Sequence, residues 1–225
     1  MASAKRAEEK ETAALWQVNA ALREALFGNA TEARRRAVGA LALSNGGDVQ
    51  YGAAVALALA GNAARAEVLA DDLGARFPED TIVQLNYLPT LRAQLALSPN
   101  ASARSSGAGS SKAIEALQVA APYELGRVGA LYSLHPAYVR GEAYLAAHQG
   151  GEAAAEFQKI LDHRGIVVNE AIGALAHLQI GRAYAMQGDT AKARAAYQDF
   201  LTLWKDADPD IPVLKQAKAE YAKLQ

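Results

Sequence analysis

The sequence predicts an all-α chain made of repeated helical pairs, and three observations carry that expectation. Short phrases recur: Leu26-Phe27-Gly28-Asn29-Ala30 returns as Leu59-Ala60-Gly61-Asn62-Ala63, an offset of 33, and Gly188-Asp189-Thr190-Ala191 has the same form. A second phrase, Arg140-Gly141-Glu142-Ala143-Tyr144, returns as Ile180-Gly181-Arg182-Ala183-Tyr184 at an offset of 40, with Ala153, Phe157 and Gln158 matching Ala193, Tyr197 and Gln198 in the same phase. Finally, the apolar residues follow helical spacing, and no segment shows sustained alternation flanked by hairpin turns.

The elements follow in order. Leu15, Val18, Leu22, Ala25 and Leu26 form one apolar stripe, and Gly28 ends that helix, because glycine enters the left-handed region cheaply. Asp48, Asp80 and Asp189 stand where an N-cap accepts backbone N–H bonds. About five helix-turn-helix units are expected, over roughly 14–46, 47–80, 81–121, 134–167 and 174–207. Pro89 falls inside the first helix of the third unit and predicts a kink or a late start. Residues 98–111, rich in Ser, Gly and Ala, read as a flexible insertion between the two helices of that unit, the second helix opening at Lys112. Pro122–His135 exceeds a normal turn and reads as a short extra helix or a bulky loop. Leu214, Ala217, Tyr221 and Leu224 form a last stripe, a capping helix over about 210–224 opened by Asp210 and Pro212. The whole chain, 1–225, reads as one domain.

Composition narrows the function. The 225 residues are 51% hydrophobic and 7% aromatic, so the core rests on Ala and Leu. A net charge of −1 argues against an electrostatic nucleic-acid binder. The absence of cysteine excludes disulfides and thiolate metal sites. The charged N-terminus has no apolar run of signal-peptide type, and the most apolar stretch, Tyr51 to Ala60, is too short to span a bilayer. A soluble chain without direct membrane insertion is expected.

The motifs that come near to chemistry each lack a required part. Gly107-Ala108-Gly109-Ser110-Ser111-Lys112 superficially suggests a phosphate loop, but Ser precedes Lys and a helix precedes the loop. His163-Arg164-Gly165 and Asp199-Phe200-Leu201 are near-misses for kinase triplets, the first lacking the catalytic Asp. His135, His148, His163 and His177 form no i,i+4 metal pair; His177 reads as a core residue and His135 as a solvated one. Asp71-Asp72 and Arg34-Arg35-Arg36 read as solvated helix faces. No catalytic residue, cofactor, metal or nucleic acid is therefore expected.

The Gly, Ala and aromatic positions resemble the tetratricopeptide repeat: Gly141, Tyr144, Ala153, Phe157 and Ile160 fit its pattern, as do Gly181, Tyr184, Ala193, Tyr197 and Phe200. Ala66, Leu73 and Pro78 fit half of an earlier unit, which departs from the pattern at Ala70. Phrases such as Gln84-Leu85-Asn86-Tyr87-Leu88-Pro89, Ala121-Pro122-Tyr123-Glu124-Leu125 and Phe157-Gln158-Lys159-Ile160-Leu161 are similar to the C-terminal repeat regions of acidobacterial serine/threonine kinases. The resemblance implies a right-handed superhelix, an α-solenoid, acting as a non-catalytic protein-interaction scaffold: the regulatory, partner-binding region of such a kinase. It implies a cytoplasmic place for a stand-alone chain and an extracytoplasmic one if the chain follows a membrane segment. A protein or peptide ligand would lie in a concave groove lined by first-helix residues. Carried over by phase, these are Asp48, Tyr51 and Val55; Gln84, Leu85 and Arg92; His135, Tyr138, Glu142 and Leu145; Leu178 and Arg182. Self-association through the groove or an end face is the alternative, and an enzyme of unknown type the third reading.

Overall fold

The computed structural model describes residues 2–98, 108–126 and 132–224. Twelve α-helices and no strand occur among the described residues. The first four are α1 (Ala2–Phe27), α2 (Ala30–Leu43), α3 (Gly47–Leu59) and α4 (Ala63–Arg76). A π-helical turn, Val83–Tyr87, runs into α5 (Leu88–Leu97), and α6 (Ala108–Ala116) follows. Then come α7 (His135–Ala146), α8 (Gly150–Asp162), the single turn α9 (Arg164–Val167), α10 (Ala171–Met186), α11 (Thr190–Leu203) and α12 (Pro212–Ala222).

The packing order is regular. Each of α1, α3, α5, α7 and α10 packs on its own partner (α2, α4, α6, α8, α11), the first four also pack on the next helix of that series, and α2, α4, α6 and α8 each touch the pair that follows. The reason lies in small residues. Only Ala33, Ala37 and Ala40 are buried in α2, and Ala66, Ala70 and Leu73 in α4, so backbones approach closely. Helix α3 differs. All ten residues from Val49 to Ala58 of α3 are buried, as a helix apolar on every side requires.

Turns repeat with the pairs. Gly28, Gly61 and Gly188 have φ of +92°, +82° and +77°. Each N–H bonds three residues back, and the next residue's N–H bonds five back, as in Gly28 to Ala25 and Asn29 to Glu24. The α7–α8 turn makes the same two bonds with His148 in place of glycine, at φ +58°. Asp189 caps α11 through the Lys192 N–H at 3.1 Å, and Asp80 accepts from Ile82 and Val83 at 2.9 and 3.1 Å. Asp48 differs from the expected cap: it lies inside the first turn of α3, and its Oδ1 accepts from the Tyr87 hydroxyl at 2.7 Å.

Around Pro89 the helix neither breaks nor starts late. It widens into the π-turn immediately upstream, because proline supplies no N–H to the preceding turn. Helix α6 begins at Ala108, four residues before the expected start, with Gly109 and Ser110 buried; the rest of the expected insertion, 99–107, lies outside the described residues. The Pro122–His135 stretch opens with a short 3-10 turn, Ala121–Tyr123. It is clamped by a buried ion cluster: Arg140 donates to Glu124 Oε1 and Oε2 at 2.6 and 3.0 Å and to Glu156 at 2.7 Å, and Lys159 Nζ lies 3.1 Å from both carboxylates.

The expected free end is not free. Helix α12 packs on α11 and also on α1. Phe27 meets Trp204 edge-on, ring centroids 4.7 Å apart, and a Cβ at Gly28 would stand 2.9 Å from Pro212. Leu26 belongs to both large cores, one built by α1–α5 with Tyr132 and one built by α7–α12. The first and last helices of the array are in contact.

Candidate functional groove

Helix α1 has two useful faces. Ala14, Val18, Ala21 and Ala25 are buried, and α1 packs on α2 and α3. Leu15, Trp16, Asn19, Arg23 and Leu26, at helical spacing, instead line a cavity of about 450 Å³ whose opposite wall is the α9–α10 connection, Ile166–Ala171. A second cavity of about 400 Å³ shares Arg23 and Val167–Ala171 with the first and continues to Phe27, Arg164, Leu203 and Trp204. Together they form one groove along α1. Both tryptophans of the chain line it.

The rims are apolar and open. Trp16 is 73% exposed, Val168 78% and Leu203 59%. Val168 has φ +51°, a conformation costly for a β-branched residue, and it is fixed there by its N–H bond to the Arg164 carbonyl at 2.9 Å.

The floor holds the two walls together. The Tyr132 hydroxyl donates to Asn19 Oδ1 at 2.9 Å, and its N–H donates to Glu170 Oε1 at 3.1 Å. His135 Nε2 lies 3.2 Å from Glu170 Oε2. The Tyr132 ring packs edge-on against Tyr51, Tyr87 and His135. Burial pushes the Tyr132 hydroxyl above the usual tyrosine range, so it stays a donor. Tyr132 and Asn19 were not anticipated, since 113 residues separate them and no local pattern links them.

The anticipated groove residues lie on α3, the π-turn, α5, α7 and α10, and five of the twelve are buried: Tyr51, Val55, His135, Tyr138 and Leu178. Tyr51 is fully buried and stacks on Tyr87 at 3.9 Å; Val55 and Leu178 are buried as well. His135, expected to be solvated, is 3% exposed because the Tyr132 ring and Glu170 cover it. Gln84 is taken by the end of α4, its Nε2 donating to the Phe77 carbonyl at 2.9 Å. Leu85 and Leu145 are half-buried, and Arg92 is exposed. The Tyr132 ring lies against both Tyr51 and His135, and α1 packs on α3 through Val18, whose side chain closes on Gly52.

Three of the anticipated residues do converge, beside a small cavity of about 150 Å³ where α1, α7, α10 and α12 meet. Gln179 Nε2 donates to the Tyr138 hydroxyl at 3.1 Å and to Glu142 at 3.2 Å, while its Oε1 accepts from Arg182 at 3.2 Å. Arg182 makes a two-pronged pair with Glu220 at 2.8 and 2.9 Å. Burial raises the Glu142 carboxyl to about 7, and Arg182 offsets this only in part. Elsewhere, burial lowers His177, only partly offset by Asp199 at 4.0 Å. Among the described residues no cluster of three His, Asp or Glu suits a metal ion, and no helix is long and apolar enough to cross a membrane.

No protein-family model matches this chain, and neither does any curated protein or solved structure.

Proposed function

We propose that this chain is a protein-interaction module of tetratricopeptide type, a right-handed array of helical pairs whose partner binds in the groove between α1 and the α9–α10 connection. The observation that carries the reading is the groove itself: two joined cavities rimmed by the exposed Trp16, Val168 and Leu203 and held open by a buried Tyr132–Glu170–His135 floor. Exposed aromatic and apolar groups gathered on one concave surface are the usual mark of an interface. The repeated glycine–aromatic contacts support the family reading: a Cβ at Gly141 would stand 2.6 Å from Phe157, and one at Gly181 3.0 Å from Tyr197. Attachment to a serine/threonine kinase rests on the sequence resemblance, and reading the coding sequence upstream of Met1 tests it.

A photo-crosslinking amino acid at position 16, compared with one at the exposed Val119, tests the binding surface in cells of the source organism. A discrete adduct with a second protein from position 16 alone supports the reading. An adduct between two copies of this chain would replace it with self-association, and absence of any adduct from either position would remove it.

A further inference from the structure

The groove has a sign as well as a shape. Resting on the reading of this groove as the binding surface, we infer that its partner is an elongated polypeptide segment that pairs apolar side chains with carboxylates. Two guanidinium groups, Arg23 and Arg164, line the second cavity. Both are exposed, and neither is engaged by an acidic side chain among the described residues, whereas Arg140 and Arg182 are tightly paired. The one carboxylate lining the groove, Glu170, is already occupied by the Tyr132 N–H and His135. The free charge offered to a ligand is therefore positive: Arg23 stands where the two cavities join and Arg164 in the cavity that reaches Trp204, while no free charge lines the Trp16 end beyond Arg23.

Length favours a polypeptide over a compact amphiphile. The lining residues of α1 run from Thr12 to Phe27, about 22 Å of helix at 1.5 Å per residue. That span matches about fifteen residues of an amphipathic helix laid along α1, with leucine-sized side chains in the two cavities and carboxylates at Arg23 and Arg164. Guanidinium groups at the edge of an apolar groove fix register and reject basic competitors.

The chain reports on this groove through its own fluorescence, because its two tryptophans stand at the two ends. The probes are a capped 15-residue peptide with Leu at helical spacing and Glu on the other face, the same peptide with Lys for Glu, and decanoate as a compact anionic amphiphile. Saturable shifts of both Trp16 and Trp204 emission by the Leu/Glu peptide are expected, assigned with the single variants Trp16→Phe and Trp204→Phe. The Leu/Lys peptide should bind about tenfold more weakly. The double variant Arg23→Glu/Arg164→Glu, both side chains exposed, should keep the wild-type circular dichroism and reverse the preference. Equal binding of the two peptides, binding of decanoate without the Leu/Glu peptide, or no response to any probe would each overturn the inference. A crosslinked partner at position 16 with no charge preference would remove only this inference and leave the interaction module standing.

Discussion

His148 holds, between α7 and α8, the backbone position that glycine holds in the three matching turns. A side chain in the left-handed region costs about 1–2 kcal/mol, and His148 is exposed with no side-chain bond to offset it. His148→Gly should therefore stabilise the protein by about 1 kcal/mol, read as a rise in the urea midpoint at unchanged slope. Gly141 is the opposite case. Its missing Cβ leaves room for the Phe157 ring, so Gly141→Ala should cost about 1–3 kcal/mol in the same assay. Glu142 sets a pH dependence. With its folded pKa raised to about 7 from an unfolded value near 4.5, the folded state holds the proton more tightly. The stability this carboxyl contributes is therefore present below pH 4.5 and lost as pH rises to 7, by at most about 3 kcal/mol. Glu142→Gln should flatten that slope in denaturant titrations from pH 4.5 to 8; an unchanged slope would assign it elsewhere.

At the scale of elements, the sequence pattern reached the helices more surely than their surroundings. The turns at Gly28, Gly61 and Gly188 were legible because a positive φ has a chemical signature, and the pairs around them followed. Pro89 was legible as a disturbance, but its resolution into a π-turn depends on neighbours that the local pattern does not contain. Helix α6 began early because Gly109 and Ser110, poor helix formers, are buried by tertiary packing. The segment before α7 looked irregular because its order comes from charges far along the chain: Glu124 is tied to Arg140, sixteen residues on, and to Lys159, thirty-five on. That cluster is 3% exposed at Arg140 and 1% at Glu124, so removing one partner leaves a buried charge uncompensated. Glu124→Gln should cost about 3–5 kcal/mol and raise hydrogen exchange in residues 117–126 before it affects α1–α4.

At the scale of the whole molecule, helical periodicity assigned an inner face to each pair but not what covers it. The contact of α1 with α12 joins residues from opposite ends of the chain, and the single apolar stripe read in α1 carries no mark of which distant helix meets it. Tyr51 and His135 are covered by the Tyr132 ring, while Tyr138 lies beside the small cavity where α1, α7, α10 and α12 meet; the open groove runs along α1. The groove needs α1 held against the C-terminal half of the chain, and the contact of α1 with α12 belongs to that arrangement. Because the chain has no cysteine, spin labels can be placed cleanly at Thr31→Cys and Lys215→Cys, two exposed positions beside the Gly28–Pro212 contact. Pulsed electron–electron double resonance should give one short distance, that of helices packed at about 10 Å plus the label arms. A population centred beyond about 40 Å, the span of five helix pairs stacked at 8–10 Å, would show an open array and contradict the account.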